Sequence, residues 1–174
     1  MLEGKLSCAE EPRRAYGKVL RPLLHLGRAE EAKEYHAQGY KLLGKAEHAV
    51  GEFAQHLEFV ALVGDVAKAK KMLERRLPAA LETVIAIDRY HFFKSACTFF
   101  DVLLAQGTTS LKVRLPSDVA IANAEGKYDV AELRAWFASE ARIIAAQYDA
   151  RDGNDYYVRE LENLPEVLKL AVSA

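Results

Sequence analysis

Residues 25–35 read HLGRAEEAKEY and residues 62–72 read LVGDVAKAKKM. In each, a glycine (Gly27, Gly64) is followed five residues later by an alanine (Ala32, Ala69), with helix-patterned apolar sequence on both sides. A glycine between two such stretches supplies a turn, and a small alanine beyond it lets two helices come close. The pair predicts helical hairpins. Self-similarity at this scale marks a helical repeat, and such proteins work by offering an extended surface to a partner.

Working outward, the first helix is expected over Glu11–Leu26, with Tyr16, Val19, Leu20, Leu23 and Leu24 at helical spacing. Pro12 suits its first turn, and Pro22 predicts a kink or an early end. Glu30–Leu43 follows, with Gly44 as a left-handed cap. Glu47–Val63 is the third helix, with Val50, Phe53, Ala54 and Leu57 on one stripe. Asp65 caps the fourth, in which Val66, Ala69, Met72, Leu73 and Leu77 face inward. Pro78 should bend or end it before Ala79–Ile87 continues. The fifth, Arg89–Gln106, is apolar on two faces through Phe92, Phe93, Phe99 and Phe100, which predicts the centre of the core. His91 and Lys94 read as exposed flanks of that helix.

The period then changes. Leu111, Val113 and Leu115 alternate with Lys112 and Arg114, and Val119 and Ile121 repeat the pattern weakly before the turn residues at 125–127. A small β-hairpin or extended segment over 110–128, paired internally, is expected between the fifth and sixth helices. Helical pattern resumes at Asp129, which with Glu132 makes a capping-box-like start, and breaks at Arg151-Asp152-Gly153-Asn154. Asp155 can cap the next helix. A last one around Pro165 carries Leu168 and Val172. Tyr156 and Tyr157 are expected to pack these helices onto the bundle.

Composition narrows the function classes. Half of the 174 residues are hydrophobic and 28% are charged, which excludes a disordered or collagen-like chain. No apolar run is long enough for a membrane span, and MLEGKLSCAEEPRR lacks the apolar core of a secretion signal. Cys8 and Cys97 read as reduced cytoplasmic thiols rather than a disulfide. The net charge of −1 argues against a nucleic-acid binder but hides an asymmetry: residues 1–117 carry +4 and residues 118–174 carry −5. Arg13 to Lys45 holds eight basic residues against Glu30, Glu31 and Glu34. The plain reading is a solvated helix surface; the sharper one is a basic groove for an acidic partner.

The repeats resemble tetratricopeptide (TPR) units. In that family a glycine lies in the turn and an alanine of the second helix packs into the hairpin, as Gly27/Ala32 and Gly64/Ala69 match, and Tyr16 and Phe53 stand where the family places its first large residue. Departures are a spacing of 37 residues where the family uses about 34, Leu20 and Leu57 where the family has a mid-helix glycine, and a third hairpin that runs into the extended segment. The chain is also similar to part of larger, uncharacterised bacterial multi-TPR proteins through Asp149-Ala150-Arg151-Asp152-Gly153. The resemblance implies an all-α fold of antiparallel helical hairpins stacked as a short array: a single domain over 1–174, with hairpins over 11–107, an extended or β insertion over 108–128, and capping helices over 129–174. It also implies that the first helix of each hairpin lines a concave surface.

Catalytic constellations are not found: there is no phosphate-cradling glycine loop, no Gly-x-Ser-x-Gly and no Cys-x-x-Cys. Asp149–Glu160 resembles a calcium loop, but Arg151 and Gly153 occupy ligand positions. His48, Glu52 and His56 have the spacing of zinc ligands on a helix, yet their stripe drifts and no Cys or further His lies nearby in sequence. No enzyme activity, metal or cofactor is expected. The expected function is binding of a peptide or protein segment, an acidic one among the candidates. The contact surface is Arg14, Lys18 and Arg21 from the first hairpin, with His48, Glu52, Gln55 and His56 from the next. The alternative is a regulatory or sensing domain that encloses a small molecule or peptide near the fifth helix. The chain is expected to be a cytoplasmic monomer with a protein or peptide partner and no nucleic acid or membrane.

Overall fold

The computed structural model describes residues 11–44, 46 and 48–171. Cys8, Lys45, the expected helix start at Glu47, and Val172 lie outside the described residues. The fold is helical with one small two-stranded sheet. The first helix is two: α1 (Arg13–Lys18) and α2 (Leu20–His25), broken at Val19 rather than at Pro22. The cause is still the proline. Pro22 has no N–H to return to the Lys18 carbonyl, so the ladder fails one turn upstream and Pro22 sits in the first turn of α2, where that proton is not needed.

Helices α3 (Ala29–Leu43), α4 (Val50–Leu62) and α5 (Val66–Glu82) follow. The two quoted motifs form one turn twice. Gly27 (φ +70°) donates to Leu24 O and Arg28 N to Leu23 O; Gly64 (φ +79°) donates to Ala61 O and Asp65 N to Val60 O. This is the helix ending that a left-handed residue closes, and glycine adopts it without a Cβ clash. Ala32 and Ala69 are fully buried, where α3 returns against α1 and α2 and where α5 returns against α4. The Asp65 carboxylate accepts from Lys68 N at 3.0 Å, so it caps α5 as expected.

α6 (Ala86–Ala105) is the central helix, packed between α4 and α7 (Val130–Asp152). Phe92, Phe93, Phe99 and Phe100 are buried, and Phe93 and Phe100 meet Phe137 of α7 with ring centres 5.5 and 5.3 Å apart. The turn after α6 is a third copy of the same ending: Gly107 (φ +77°) donates to Leu104 O and Thr108 N to Leu103 O. As expected, α6 runs into an extended segment, and α7 packs along α6 after the β arm over 108–129.

In that arm β1 (Ser110–Lys112) pairs antiparallel with β2 (Lys127–Asp129), Leu111 opposite Tyr128. The segment pairs internally, but the weak alternation around Val119 and Ile121 forms turns, not strand, with Val119 buried. Glu74 of α5 anchors the arm by accepting from Arg114 N at 2.8 Å.

Three local expectations are corrected. Gly44 is right-handed (φ −58°) and caps nothing by left-handed geometry. α5 runs through Pro78 to Glu82 and ends at extended Thr83, because Pro78 faces solvent where its missing bond is easily rehydrated. Asp155 makes no capping side-chain bond to α8 (Tyr156–Glu162). The buried Asp149 does so from the preceding helix, accepting from Tyr157 N and Val158 N at 2.9 Å each. The chain ends its described part after α9 (Leu164–Leu168), and no described helix is long and apolar enough to cross a membrane.

Candidate binding cleft

α1, α2, α4 and α6 converge on a polar cleft. It consists of two adjoining cavities of about 240 and 340 Å³ that share Lys18, Gln55 and His91. The inner cavity reaches Arg21, Glu58, Lys94 and Ser95; the outer one reaches Arg14, His48, Glu52, Asp88 and Ile85. Gly17 makes the junction tight. A Cβ there would lie 2.2 Å from Gln55 Oε1, so a larger residue would require the end of the Gln55 side chain to swing aside.

Most cleft cations are already matched. Glu52 Oε1 accepts from Arg13 Nη2 and Arg14 Nε, each at 3.3 Å. Burial pushes the Glu52 carboxyl up, but its backbone hydrogen bond and the two guanidinium groups outweigh that and hold it below the usual range. Arg21 grips Glu58 with two parallel bonds of 2.7 and 2.6 Å. Lys94 Nζ lies 2.8 Å from Glu160 Oε2 of α8, and Arg21 Nη1 lies 3.7 Å from the same carboxylate. Glu58 and Lys94 are each only 6% exposed, so these are buried charges that stand only because each has its counter-ion. Asp88 is pushed up by burial and by the nearby Glu52 charge. His91 is held down to about 4 by burial first and by Lys94 next, so it is a neutral imidazole at neutral pH.

Lys18 differs. It is exposed, it lines both cavities, and it has no acidic partner among the described residues.

Of the seven residues singled out from sequence, the structure brings Arg14, Lys18, Arg21, His48, Glu52 and Gln55 to this cleft and leaves out His56. His56 is 0% exposed and turned toward α3 and α5. The zinc-like spacing fails for a geometric reason: α4 begins at Val50, so His48 sits in a turn ahead of the helix and never shares a face with His56. Among the described residues no group of three or more His, Cys, Asp or Glu side chains could hold a metal ion. Arg21, expected as part of the contact surface, is committed to Glu58.

Glu58, His91, Lys94, Ser95 and Glu160 were not read as cleft residues, and His91 and Lys94 are half-buried and buried rather than exposed flanks. The available signal was Glu58 alone in the apolar run 57–63 and Lys94 directly after Phe92-Phe93 in a helix apolar on two faces. A charge in such a place requires a partner.

His56 joins a second polar cluster. Its Nδ1 lies 3.0 Å from His36 Nδ1, and Lys68 Nζ lies 2.8 Å from His36 Nε2. An ammonium can only donate, so His36 carries its proton on Nδ1 and gives it to His56, whose own proton is then on Nε2. That Nε2 is buried without a partner. Burial first, then the neighbouring positive groups, hold His36 down to about 3 and His56 to about 4.

A scan against protein-family models finds none that matches this chain, and searches of the curated proteins and of solved structures return no match either.

Proposed function

We propose that the chain is a protein-interaction module whose helical pairs form a short TPR-like array and whose α1–α4–α6 cleft takes a carboxylate-bearing segment of a partner. One observation carries this reading: Lys18 is the exposed cation at the junction of the two cavities and has no acidic partner among the described residues. An unmatched charge in a cleft with low-dielectric walls focuses its field on an incoming anion and speeds encounter. The surrounding pairs favour the same role, since they hold the walls rigid and leave neutral His91, Gln55 and Ser95 for hydrogen bonding. The sensing alternative calls for an enclosed apolar chamber at α6, and the cavity beside α6 is walled by Arg21, Glu58 and Lys94. The fully buried, unpaired thiol of Cys97 suits the cytoplasmic setting of this reading.

Lys18→Glu tests it by fluorescence anisotropy with labelled Glu-containing peptides. Binding by the wild type should weaken as salt rises, and the variant should lose about tenfold or more in affinity. Equal affinity in both proteins at low salt removes the cleft from consideration.

A further inference from the structure

We propose that the cleft reads a partner segment with a single carboxylate beside an aliphatic side chain, the carboxylate at Lys18 and the aliphatic group on Val84 and Ile85. This rests on the reading of the cleft as a binding site and states what it selects. The first half follows from the charge pairing. Arg13 and Arg14 share Glu52, Arg21 is held by Glu58, and Lys94 is held by Glu160. A run of acidic residues would therefore meet one open cation and then a set of resident carboxylates, Glu52 and Asp88 among them, that repel it.

The second half follows from the loop between α5 and α6. Val84 is 97% exposed and Ile85 50% exposed, and Ile85 lines the same outer cavity as Lys18. These two aliphatic side chains do not sit on a loose tip. Arg89 donates from Nε to Ala80 O at 3.2 Å and from Nη2 to Thr83 O at 2.7 Å, and Ile85 N donates to Thr83 Oγ1 at 3.2 Å. The loop is braced in a shape that keeps both side chains in water. A preformed apolar lip that reaches the outer cavity through Ile85, in a cleft whose open cation is Lys18, matches a segment that is itself half acidic and half aliphatic, and bracing lowers the ordering cost of binding it.

The test uses capped, labelled peptides in a neutral Ser/Asn background. One set carries one Glu and one Leu roughly two to five residues apart, a second replaces Leu by Ser, and a third carries a run of six Glu residues without Leu. The best Glu–Leu peptide should bind about five- to tenfold tighter than its Ser counterpart. That preference should vanish in a Val84→Ser/Ile85→Ser variant, whose fold is checked by circular dichroism. The six-Glu peptide should gain nothing over the single-Glu one at physiological salt. Leu and Ser peptides that bind alike, a preference that survives in the double variant, or a steep gain with six Glu residues overturns the inference. If those results come with binding still abolished by Lys18→Glu, the cleft reading stands and only this inference falls. Absence of binding by every peptide overturns both.

Discussion

The two sides of α4 each carry a polar cluster, and the two are built on opposite rules. On the cleft side, Glu52 and Glu58 are buried or half-buried charges, each answered by arginine from α1 or α2. On the side facing α3 and α5, His56 meets His36 and Lys68, three basic groups with no carboxylate among them. The first side can remain charged because each of these two carboxylates has its arginine. The second can exist only while both imidazoles are neutral, with the Lys68 ammonium turned to His36 Nε2 and over the Tyr40 ring at 5.5 Å. Solvent access goes with paired carboxylates here, and burial goes with neutral imidazoles.

Acid should separate the two sides most clearly. His36 and His56 sit at about 3 and 4 in the folded chain against about 6.5 unfolded. As pH falls below about 6.5 the unfolded chain takes up protons that the native one refuses, so the histidine contribution declines through the window from 6.5 to about 3 and levels off below that. The depressed Glu52 and Glu160 add a loss of the same sign, but only below their ordinary range near 4.5. Urea unfolding at pH 7 and pH 4.5 should differ by about 5 kcal/mol from His36 and His56 together, about 2.5 from each. His91 of the cleft shares the histidine window, so the measurement is repeated in His91→Gln. A profile that becomes flat between pH 7 and 4.5 in that variant would show that the sealed side contributes nothing.

The paired side should break through Glu58. Glu58→Gln keeps the shape of the side chain and removes the charge that Arg21 grips with two bonds. Loss of one partner from a buried pair costs about 3–5 kcal/mol. Arg21 keeps 32% of its side chain exposed and has Glu160 at 3.7 Å, so about 2–3 kcal/mol is expected here. Denaturant unfolding at neutral pH reads it, and a change under about 0.5 kcal/mol would place the pair with ordinary surface bridges.

Next in size is a steric change on the sealed side. A Cβ on Gly39 would lie 2.6 Å from Tyr16 Cβ and 2.8 Å from His56 Cε1. Neither neighbour is a free chain end, because Tyr16 is bonded to Gln38 at 2.9 Å and His56 to His36. Gly39→Ala should cost about 1–2 kcal/mol by overpacking, despite the better helix propensity of alanine. A variant as stable as wild type, or more so, would mean that the seal is loose enough to yield.

How far these features could be read in advance depends on how local their causes are. The hairpin turns at Gly27 and Gly64 were legible because the left-handed ending needs glycine and the fully buried contact needs alanine, both within a few residues. The third turn at Gly107 uses the same bonds, yet the β arm follows it directly in sequence and no helix comes until Val130. In the cleft, Arg14 and Lys18 were legible from spacing on one helical stretch. Glu58, Lys94 and Glu160 were not, because a buried charge announces only that a partner exists. Lys94 and Glu160 stand 66 residues apart and meet only because Asp149 starts α8 where it does. The misplacement of His56 has an equally local cause. The apolar residues of α4 surround the helix, so periodicity alone could not say which of its polar residues faced the groove.

The smallest expected effect on stability falls on the residue with the largest expected effect on binding. Lys18 is exposed, forms no ion pair with the described residues, and lies on the last turn of α1, where a positive charge is favoured by the helix dipole. Reversing it forfeits that small term and adds a carboxylate to a cleft that already holds several, so Lys18→Glu should lower stability by no more than about 0.5 kcal/mol. A double reversal with Arg21 would be a poor probe, because it sets a second carboxylate against Glu58 and confuses unfolding with loss of binding. Melting curves and peptide titrations on the single variant therefore go together. Nearly unchanged melting with binding reduced at least tenfold is the expected pair of results. A large drop in melting temperature would mean that Lys18 holds the fold rather than a partner, and the contrast drawn between the open and sealed sides of α4 would lose its functional half.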